Sequence, residues 1–147
     1  VRRSEVFDGA GEEFEGCIFS RRDEDGYMAA IRTLADDRLI GMLEINRVMR
    51  QARHCMFWIG IGEPEYRGGG FGSDAIRILL RFAFQEMNLN RVGLEVMSYN
   101  TRAIATYERL GFQHEGRQRE VVFRDGVYYD ILLMSILHRE WQAGGGS

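Results

Sequence analysis

The chain has 147 residues, the length of one domain, and a chain of this size buries about 68–70% of its unfolded surface on folding. Its composition, 45% hydrophobic and 28% charged, excludes the disordered, collagen-like and disulfide-scaffold classes, and no apolar run reaches the roughly 18 residues that a membrane span requires. Nineteen basic and 22 acidic residues give a net charge of −3, which argues against a nucleic-acid binder that relies on whole-domain attraction.

The basic, thiol and imidazole side chains exclude several kinds of chemistry. All 19 basic residues are arginine, so no lysine is present for Schiff-base catalysis. Cys17 and Cys55 lack the spacing of a zinc site or a Cys-X-X-Cys motif, and two reduced thiols in a cytoplasmic protein are expected. His54, His114 and His138 form no spaced set, so we expect no metal.

The two ends of the chain bear on the bounds of the predicted domain. Val1 is not an initiator methionine and no signal-peptide pattern follows it, which indicates a processed or shortened N-terminus. The last residues, Gly144–Ser147, are typical of a flexible linker. We therefore predict one domain over residues 1–142 and a flexible tail over residues 143–147.

The first half of the chain is predicted to be mostly strands. Residues from about Gly11 to Arg22 weakly favour a short helix. Tyr27–Leu34 and Leu39–Asn46 flank the turn Ala35–Arg38 and are predicted to form a hairpin. His54–Ile61, rich in apolar and aromatic residues, is a third strand that leads into a glycine-rich loop, where we expect functional residues to gather.

The middle of the chain carries the clearest helix. From Phe71 to Met87 apolar residues recur at i, i+3, i+4, i+7, i+8 and i+11 from Ile76, the stripe of an amphipathic helix. Arg91–Met97 follows as a strand. A second helix is predicted to start after Asn100 and to stop at Gly111, a residue type favoured just past a helix end.

A second hairpin is predicted to close the fold. Phe112–Phe123 and Val127–Leu137 flank Asp125-Gly126, a dipeptide typical of two-residue hairpin turns. The element order is then hairpin, strand, helix, strand, helix and hairpin. This order predicts an α/β fold in which a mixed sheet is flanked by helices.

The loop before the long helix has the composition of an anion site. It runs Arg67-Gly68-Gly69-Gly70-Phe71-Gly72-Ser73, so that backbone N–H groups and the positive end of a helix converge there. Glycine reaches φ > 0 and lets a phosphate approach without a Cβ clash. A diphosphate is the natural ligand, although a tight glycine turn without any ligand explains the glycines equally well.

Known phosphate-binding folds fit this loop poorly. Gly70–Ala75 matches G-x-G-x-x-A, and Glu95 lies 25 positions beyond Gly70, loosely where a Rossmann domain places its ribose acid. A Rossmann unit normally opens its domain and continues in parallel repeats, whereas a hairpin and a strand precede this loop. The Walker pattern is excluded because it requires a lysine.

Two further patterns, taken in order, fit more residues. From Arg67 the loop has the form R-x-x-G-x-G. Starting at Asn100, the stretch NTRAIATYERLGF has the form N-x-x-A-x-x-x-Y-x-x-x-G-F. With a helix and a strand between them, the two patterns resemble the GCN5-related N-acetyltransferase (GNAT) superfamily, whose sheet is mixed and mostly antiparallel.

The resemblance covers about Phe14 to Gln142. The closing segment over residues 115–141, EGRQREVVFRDGVYYDILLMSILHREW, resembles the branch that includes the ribosomal-protein N-terminal acetyltransferases and the spermidine acetyltransferases. That superfamily usually opens with a strand and one or two helices, but only some 26 residues precede Tyr27. We therefore expect the usual N-terminal strand and helix to be missing.

The resemblance implies acetyl-CoA as cosubstrate and assigns residues to it. The backbone of Ile59, Gly60 and Ile61 would pair with the pantetheine arm, and one of their N–H groups would polarise the thioester carbonyl. The implied cofactor-binding residues beyond this strand are Arg67, Gly68, Gly69, Gly70, Phe71, Gly72, Ser73, Asn100 and Tyr107. From the residues alone, Gly60 also suits a β-bulge, Arg67 a solvated surface position, and Asn100 a helix N-cap.

Two residues are implied to be catalytic. Tyr107 matches the general acid that protonates the departing CoA thiolate, although its spacing with Ala103, Ile104 and Leu110 alone favours a core tyrosine. Glu95 lies where some N-terminal acetyltransferases carry the base that takes the amine proton through water. A solvated glutamate explains Glu95 equally well, and Glu44 is then the alternative base.

The implied reaction is acetyl transfer to a primary amine, with a peptide α-amine as the expected acceptor. The alternatives are a polyamine or other small amine as acceptor, or a CoA-binding module without catalysis. We expect a cytoplasmic protein that needs no nucleic acid and no membrane. An uncovered sheet edge would allow a homo-oligomer.

Overall fold

The computed structural model of the chain describes residues 11–14, 17–23 and 26–146. Within these ranges eight strands form one sheet. The strands are β1 (Gly11–Phe14), β2 (Cys17–Asp23), β3 (Gly26–Arg32), β4 (Leu39–Met49), β5 (His54–Ile61), β6 (Arg91–Met97), β7 (Gln113–Arg124) and β8 (Val127–Leu137). The helices are α1 (Phe71–Arg81), α2 (Thr101–Arg109) and α3 (His138–Ala143).

The sheet is mixed and mostly antiparallel, in the order β1-β2-β3-β4-β5-β6-β8-β7. Only β5 and β6 pair in parallel among the described strands, and α1 lies in the crossover between them. A parallel pair requires such a crossover because the chain must return to the same end of the sheet. The predicted fold class is thereby confirmed, and the Rossmann alternative, which needs parallel repeats, is wrong.

The core lies on one face of the sheet. Alternate residues of the central strands, such as Leu43, Phe57 and Leu94, point to that face and are buried. The apolar stripe of α1, with Ile76 and Leu79, packs into the same core. The opposite face is called the outer face below.

Several predicted elements are confirmed almost residue for residue. The strands over 54–61 and 91–97 have the predicted bounds, and α2 starts after Asn100 and ends before Gly111, whose φ is 97°. The Asp125-Gly126 turn has φ values of 50° and 77°, which both central residues of a type I′ hairpin turn require.

The long helix changes type before it ends. It is α-helical to Arg81 and continues as one π-helical turn over Phe82–Glu86. Three consecutive residues of this turn, Phe82, Ala83 and Phe84, are buried. An α-helix turns consecutive residues about 100° apart, whereas the wider π-turn keeps adjacent side chains closer to one face.

The short helix predicted over Gly11–Arg22 is wrong. The described residues of this segment form β1 and β2, which pair with each other, and β2 pairs in turn with β3. The free edge of β3 offers backbone hydrogen bonds that a weakly amphipathic helix does not make. Two strands therefore precede β3, and no helix precedes it among the described residues.

The end of the described chain continues α3. Ala143 is the last residue of that helix, and the N–H groups of Gly145 and Gly146 donate to the carbonyls of Gln142 and Trp141. The flexibility of residues 143–147 stays a prediction, and Ser147 lies outside the described residues. None of the helices described here has the length and apolar character that crossing a bilayer requires.

Candidate active site

The two central strands of the sheet separate part-way along their length. β5 pairs with β6 at three consecutive positions, which end at Met56 opposite Gly93. Beyond that point Phe57–Ile61 stay paired with β4, but no described strand pairs with them on the β6 side. β6 meanwhile keeps β8 as its partner through Met97. The separation exposes a strand edge that an extended ligand can pair with.

A cavity of about 300 Å³ lies at this fork. Its lining includes four residues that the sequence singled out, namely Ile59, Glu95, Asn100 and Tyr107. The other lining residues are Asn46, Arg47, Met56, Phe57, Trp58, Val96, Met97 and Ile131. The fork thus brings together residues that lie up to 85 positions apart in the chain, from Asn46 to Ile131.

The cavity is lined by residues from both faces of the sheet. Phe57, Ile59 and Val96 belong to the core face, whereas Met56, Trp58 and Glu95 alternate with them and belong to the outer face. A molecule bound from the core side and another bound from the outer face could therefore meet between the strands.

Tyr107 reaches the cavity from α2. Its ring lies edge to face against Phe57 and Phe112, and only 8% of the residue is exposed. Burial raises the pKa of Tyr107 to about 12, so the phenol is protonated at neutral pH. Tyr107 therefore packs in the core and also lines the cavity. Its position fits both the core tyrosine that the spacing favours and the general acid that the resemblance implies. Its role as proton donor stays a prediction.

Asn100 caps α2 at the edge of the cavity. Its Oδ1 accepts a hydrogen bond from the Ala103 N–H at 3.3 Å, which confirms the N-cap interpretation. The contact of Asn100 with CoA stays a prediction.

The glycine loop leaves open space above its backbone. Gly68 and Gly70 have φ values of 80° and 87°, and Gly70 is the N-cap of α1. A Cβ added at Gly70 or Gly72 would meet no heavy atom within 4 Å. Glycine at position 70 therefore allows the left-handed backbone conformation, and glycine at position 72 leaves free space above the backbone. A phosphate needs both features to approach the N–H groups of the loop.

Two arginines lie at this loop. The Nε of Arg67 donates to the Ile61 carbonyl at 3.1 Å and so ties the loop to the end of β5. A Cβ at Gly68 would lie 3.7 Å from Nη1 of Arg102, which belongs to α2. Arg102 was missed by the sequence reasoning, although it stands inside the second motif, two residues after Asn100.

Gly60 does not mark a bulge. The register of β4 with β5 is regular from Gly41 opposite Ile61 to Asn46 opposite Met56. A Cβ at Gly60 would lie 2.6 Å from the Trp58 ring, so this glycine makes room for the indole on the outer face.

Glu95 points to the outer face, as the alternation of β6 predicts. Leu94 and Val96 are buried on the core face, while the Glu95 side chain is 37% exposed. Its Oε1 lies 3.0 Å from Nη1 of Arg47, on β4. Glu44 lies opposite Trp58 on the same face but does not line the cavity.

Among the side chains that the structure describes, no thiol or imidazole lines this cavity. Cys55 is buried on β5, and burial raises the pKa of its thiol to about 12. His138 stacks on Phe84, and His114 pairs with Glu108. Within the described part of the chain, no three His, Cys, Asp or Glu side chains are grouped as metal ligands.

Comparison with known proteins shows which family the chain belongs to. Residues 3–112 match the model of the acetyltransferase (GNAT) family. The chain belongs to that family. The resemblance found in the sequence is therefore confirmed, and enzymes of the family use acetyl-CoA as cosubstrate.

Individual relatives differ in what their names say they act on. The chain is 33% identical over 111 residues to the putative ribosomal N-acetyltransferase YdaF of Bacillus subtilis, covering 74% of this chain and 59% of the relative. It is 35% identical over 107 residues to the spermidine N(1)-acetyltransferase of Vibrio cholerae, covering 73% of this chain and 61% of the relative. It is 33% identical over 112 residues to the uncharacterized N-acetyltransferase YokL of Bacillus subtilis, covering 76% of this chain and 63% of the relative. The chain thus spans about three-fifths of the length of these curated relatives.

A solved structure shares the fold. A variant of the spermidine N-acetyltransferase SpeG from Vibrio cholerae superposes with a TM-score of 0.76 at 31% sequence identity, covering 84% of this chain and 72% of that chain.

Proposed function

We propose that the chain catalyses transfer of an acetyl group from acetyl-CoA to a primary amine. The observation that carries this proposal is the cavity in the β5–β6 fork, which is lined by residues from both faces of the sheet, among them a buried tyrosine and an exposed carboxylate. Family membership supports the reaction class.

The residues present fit acetyl-CoA. The open space at Gly70 and Gly72 suits the pyrophosphate, with Arg67 and Arg102 as nearby cations. The free edge of Phe57–Ile61 suits the pantetheine arm, whose amides can pair with a strand. When bound, the cosubstrate supplies an acetyl group activated as a thioester.

The side chains at the fork divide the proton transfers between them. As the amine nitrogen bonds to the acetyl carbon and the carbon–sulfur bond breaks, Tyr107 gives its phenolic proton to the departing sulfur. Glu95 takes the proton that the amine must lose, directly or through one water. A backbone N–H of Ile59, Gly60 or Ile61 stabilises the charge that builds up on the carbonyl oxygen.

For the acceptor we propose the α-amine of a peptide or protein. An α-amine has a pKa near 7.7–8.0, so deprotonating it at pH 7 costs only about 1 kcal/mol, whereas an amine with a pKa near 10.4 costs roughly 4.6 kcal/mol. An exposed glutamate such as Glu95 suffices to take the proton of an α-amine. The second candidate is a polyamine, which is favoured by similarity to the spermidine N(1)-acetyltransferase.

A competition assay tests the proposal. Peptides with free and blocked N-termini, spermidine and a lysine-containing peptide are mixed at fixed acetyl-CoA, and both free thiol and acetylated products are measured. We expect the free N-terminus to be acetylated first. Preferential acetylation of spermidine or of the lysine would overturn the α-amine acceptor, and CoA binding without thiol release would favour a binding module.

A further inference from the structure

We propose that Arg47 and Glu95 together form a clamp for an α-amino carbonyl group, with Arg47 as a specificity-determining residue that selects a peptide N-terminus over a polyamine. This inference rests on the proposed function and deepens it. The clamp would hold the acceptor amine at Glu95 and the neighbouring carbonyl oxygen at Arg47.

A β-bulge places Arg47 in the acceptor side of the cavity. Strict alternation along β4 would point Arg47 to the core face, because Asn46 points outward. The register instead shifts between Asn46 and Met49, and Arg47 has a φ of 47°. Two consecutive side chains, Asn46 and Arg47, therefore line the outer half of the cavity, and Val48 returns to the core.

The backbone of Arg47 is costly to maintain. A non-glycine residue in the left-handed region is strained, and such strain persists where the surrounding structure holds it. Here Ile45 and Val48 are buried on either side of the bulge and fix its position. Conformations of this kind are concentrated at functional sites, which is the first reason to assign Arg47 a role.

The arginine reaches across a neighbouring strand to its partner. Arg47 belongs to β4 and Glu95 to β6, with β5 between them, and Met56 lies opposite Asn46 on that middle strand. The two charged groups thus cross the outer face beside the mouth of the fork, 3.0 Å apart. Because both side chains are well exposed, their ion pair adds little stability, and an acceptor can replace either partner at small cost.

The charges of the cavity favour an acceptor that carries one amine beside an oxygen. Among the described residues of its lining, Arg47 and Glu95 alone are charged, and their charges cancel. A polyamine carries several positive charges and is recognised best by an excess of carboxylates. An α-amino carbonyl group offers an ammonium to Glu95 and an acceptor oxygen to the guanidinium, which donates strong hydrogen bonds.

The aromatic wall of the cavity suits the rest of a peptide. Trp58 lies on the same face and is 56% exposed, with Met97 and Ile131 paired opposite each other farther along the cavity. Apolar surface of this kind can pack against the first side chains of a peptide, whereas a polyamine presents charged groups at short intervals along its chain.

The test compares two acceptors in two arginine variants. Arg47→Asn removes the charge, and asparagine tolerates the left-handed conformation. Arg50→Asn is the matched control, because Arg50 lies three residues along the chain, is exposed and does not line the cavity. The acceptors are glycinamide, which carries the α-amino carbonyl group, and 1,3-diaminopropane, which does not.

We expect Arg47→Asn to raise KM for glycinamide roughly tenfold or more with little change in kcat, and to leave or lower KM for the diamine. The ratio of kcat/KM between the two acceptors should therefore fall in Arg47→Asn and stay at the wild-type value in Arg50→Asn. Comparing ratios between variants cancels the different basicities of the two amines. A ratio that Arg47→Asn leaves unchanged overturns the clamp.

Calorimetry separates this inference from the proposed function. Binding of glycinamide and of the amide of a free amino-terminal tripeptide is measured in the presence of CoA. If no acceptor is acetylated but Arg47→Asn weakens this binding at least tenfold, the clamp stands and catalysis fails. Equal binding by wild type and Arg47→Asn overturns the clamp whatever the turnover. If glycinamide binds and the tripeptide amide does not, the acceptor is restricted to amino acid derivatives, and the proposal of a peptide acceptor is overturned.

Discussion

The ring of Tyr107 meets the ring of Phe57 edge to face, with 6.1 Å between their centroids and 82° between their planes. Phe57 is the first residue of β5 beyond the last position paired with β6. The contact therefore holds the tyrosine of α2 where the two strands separate. No protein group within the described residues hydrogen-bonds the Tyr107 hydroxyl, which leaves it available to a ligand.

This geometry predicts the effect of Tyr107→Phe. Phenylalanine keeps the ring contacts and removes only the hydroxyl, so the free energy of unfolding should change little. General acid catalysis typically contributes 10²–10⁴-fold, and kcat should fall within that range while the Kd for CoA stays the same. Single-turnover kinetics and calorimetry measure the two quantities. Tyr128→Phe, in an exposed position on β8, is the matched control, and wild-type turnover in Tyr107→Phe would leave Tyr107 a core residue.

The glycine loop is tested best at Gly72. The φ of Gly70 is 87°, so a valine there would strain the backbone as well as crowd a phosphate. Gly72 has no such constraint, and an added Cβ meets no heavy atom within 4 Å. We expect Gly72→Val to fold and to bind CoA at least roughly tenfold more weakly, by about 1.4 kcal/mol.

Gly62→Ala is the control for this experiment. Gly62 lies just after β5, and its added Cβ would lie 3.9 Å from the Ile40 carbonyl, an ordinary contact. The Gly62→Ala variant should bind CoA with the same affinity as the wild type in calorimetry. Unchanged affinity in a folded Gly72→Val would contradict the assignment of the pyrophosphate to this loop.

The role of Glu95 predicts a pH-dependent loss. If Glu95 removes the proton of an α-amine, Glu95→Gln should lower kcat/KM at pH 7, and the loss should shrink as the pH rises through about 7.7–8.0, where solvent deprotonates the acceptor. A pH profile of kcat/KM from 6 to 9.5 measures this. Glu44→Gln is run in parallel, and a loss of this form in Glu44→Gln alone would make Glu44 the base.

Burial of Cys55 and Tyr107 predicts that stability decreases at alkaline pH. Burial raises the pKa of the Cys55 thiol from 9.0 to about 12, and that of the Tyr107 phenol from 10.0 to about 12. Between these values the folded state keeps a proton that the unfolded state loses, so the free energy of unfolding falls as pH rises.

The decrease should begin near pH 9 for the thiol and steepen above pH 10 as the phenol contributes, with a slope of up to about 1.4 kcal/mol per pH unit and group. Urea unfolding from pH 7 to 11 measures it. Cys55→Ala should remove the part of the slope between pH 9 and 10. A slope that the variant leaves unchanged would mean that Cys55 ionises in the folded protein.

Much of the fold and part of the site follow from local patterns. The alternation of Leu94, Glu95 and Val96 predicts which face of β6 each residue occupies, because successive side chains of a strand point to opposite faces whatever the strand's neighbours are. The Asn100 cap and the Gly111 stop likewise depend on the backbone of one helix end. These features need no knowledge of distant residues.

The rest depended on which segments pair across the sheet. The strands β1 and β2 replaced the predicted helix because the edge of β3 was free to pair. The bulge at Arg47 and the separation of β5 from β6 are also decided by partners far along the chain, and together they bring Arg47 to Glu95 across 48 positions of sequence. The sequence by itself determined most of the local elements from β3 onward and the two family motifs. Only the tertiary structure decided where these motifs meet and which charged side chain faces the acceptor, because hydrogen-bond pairing between strands is a non-local choice.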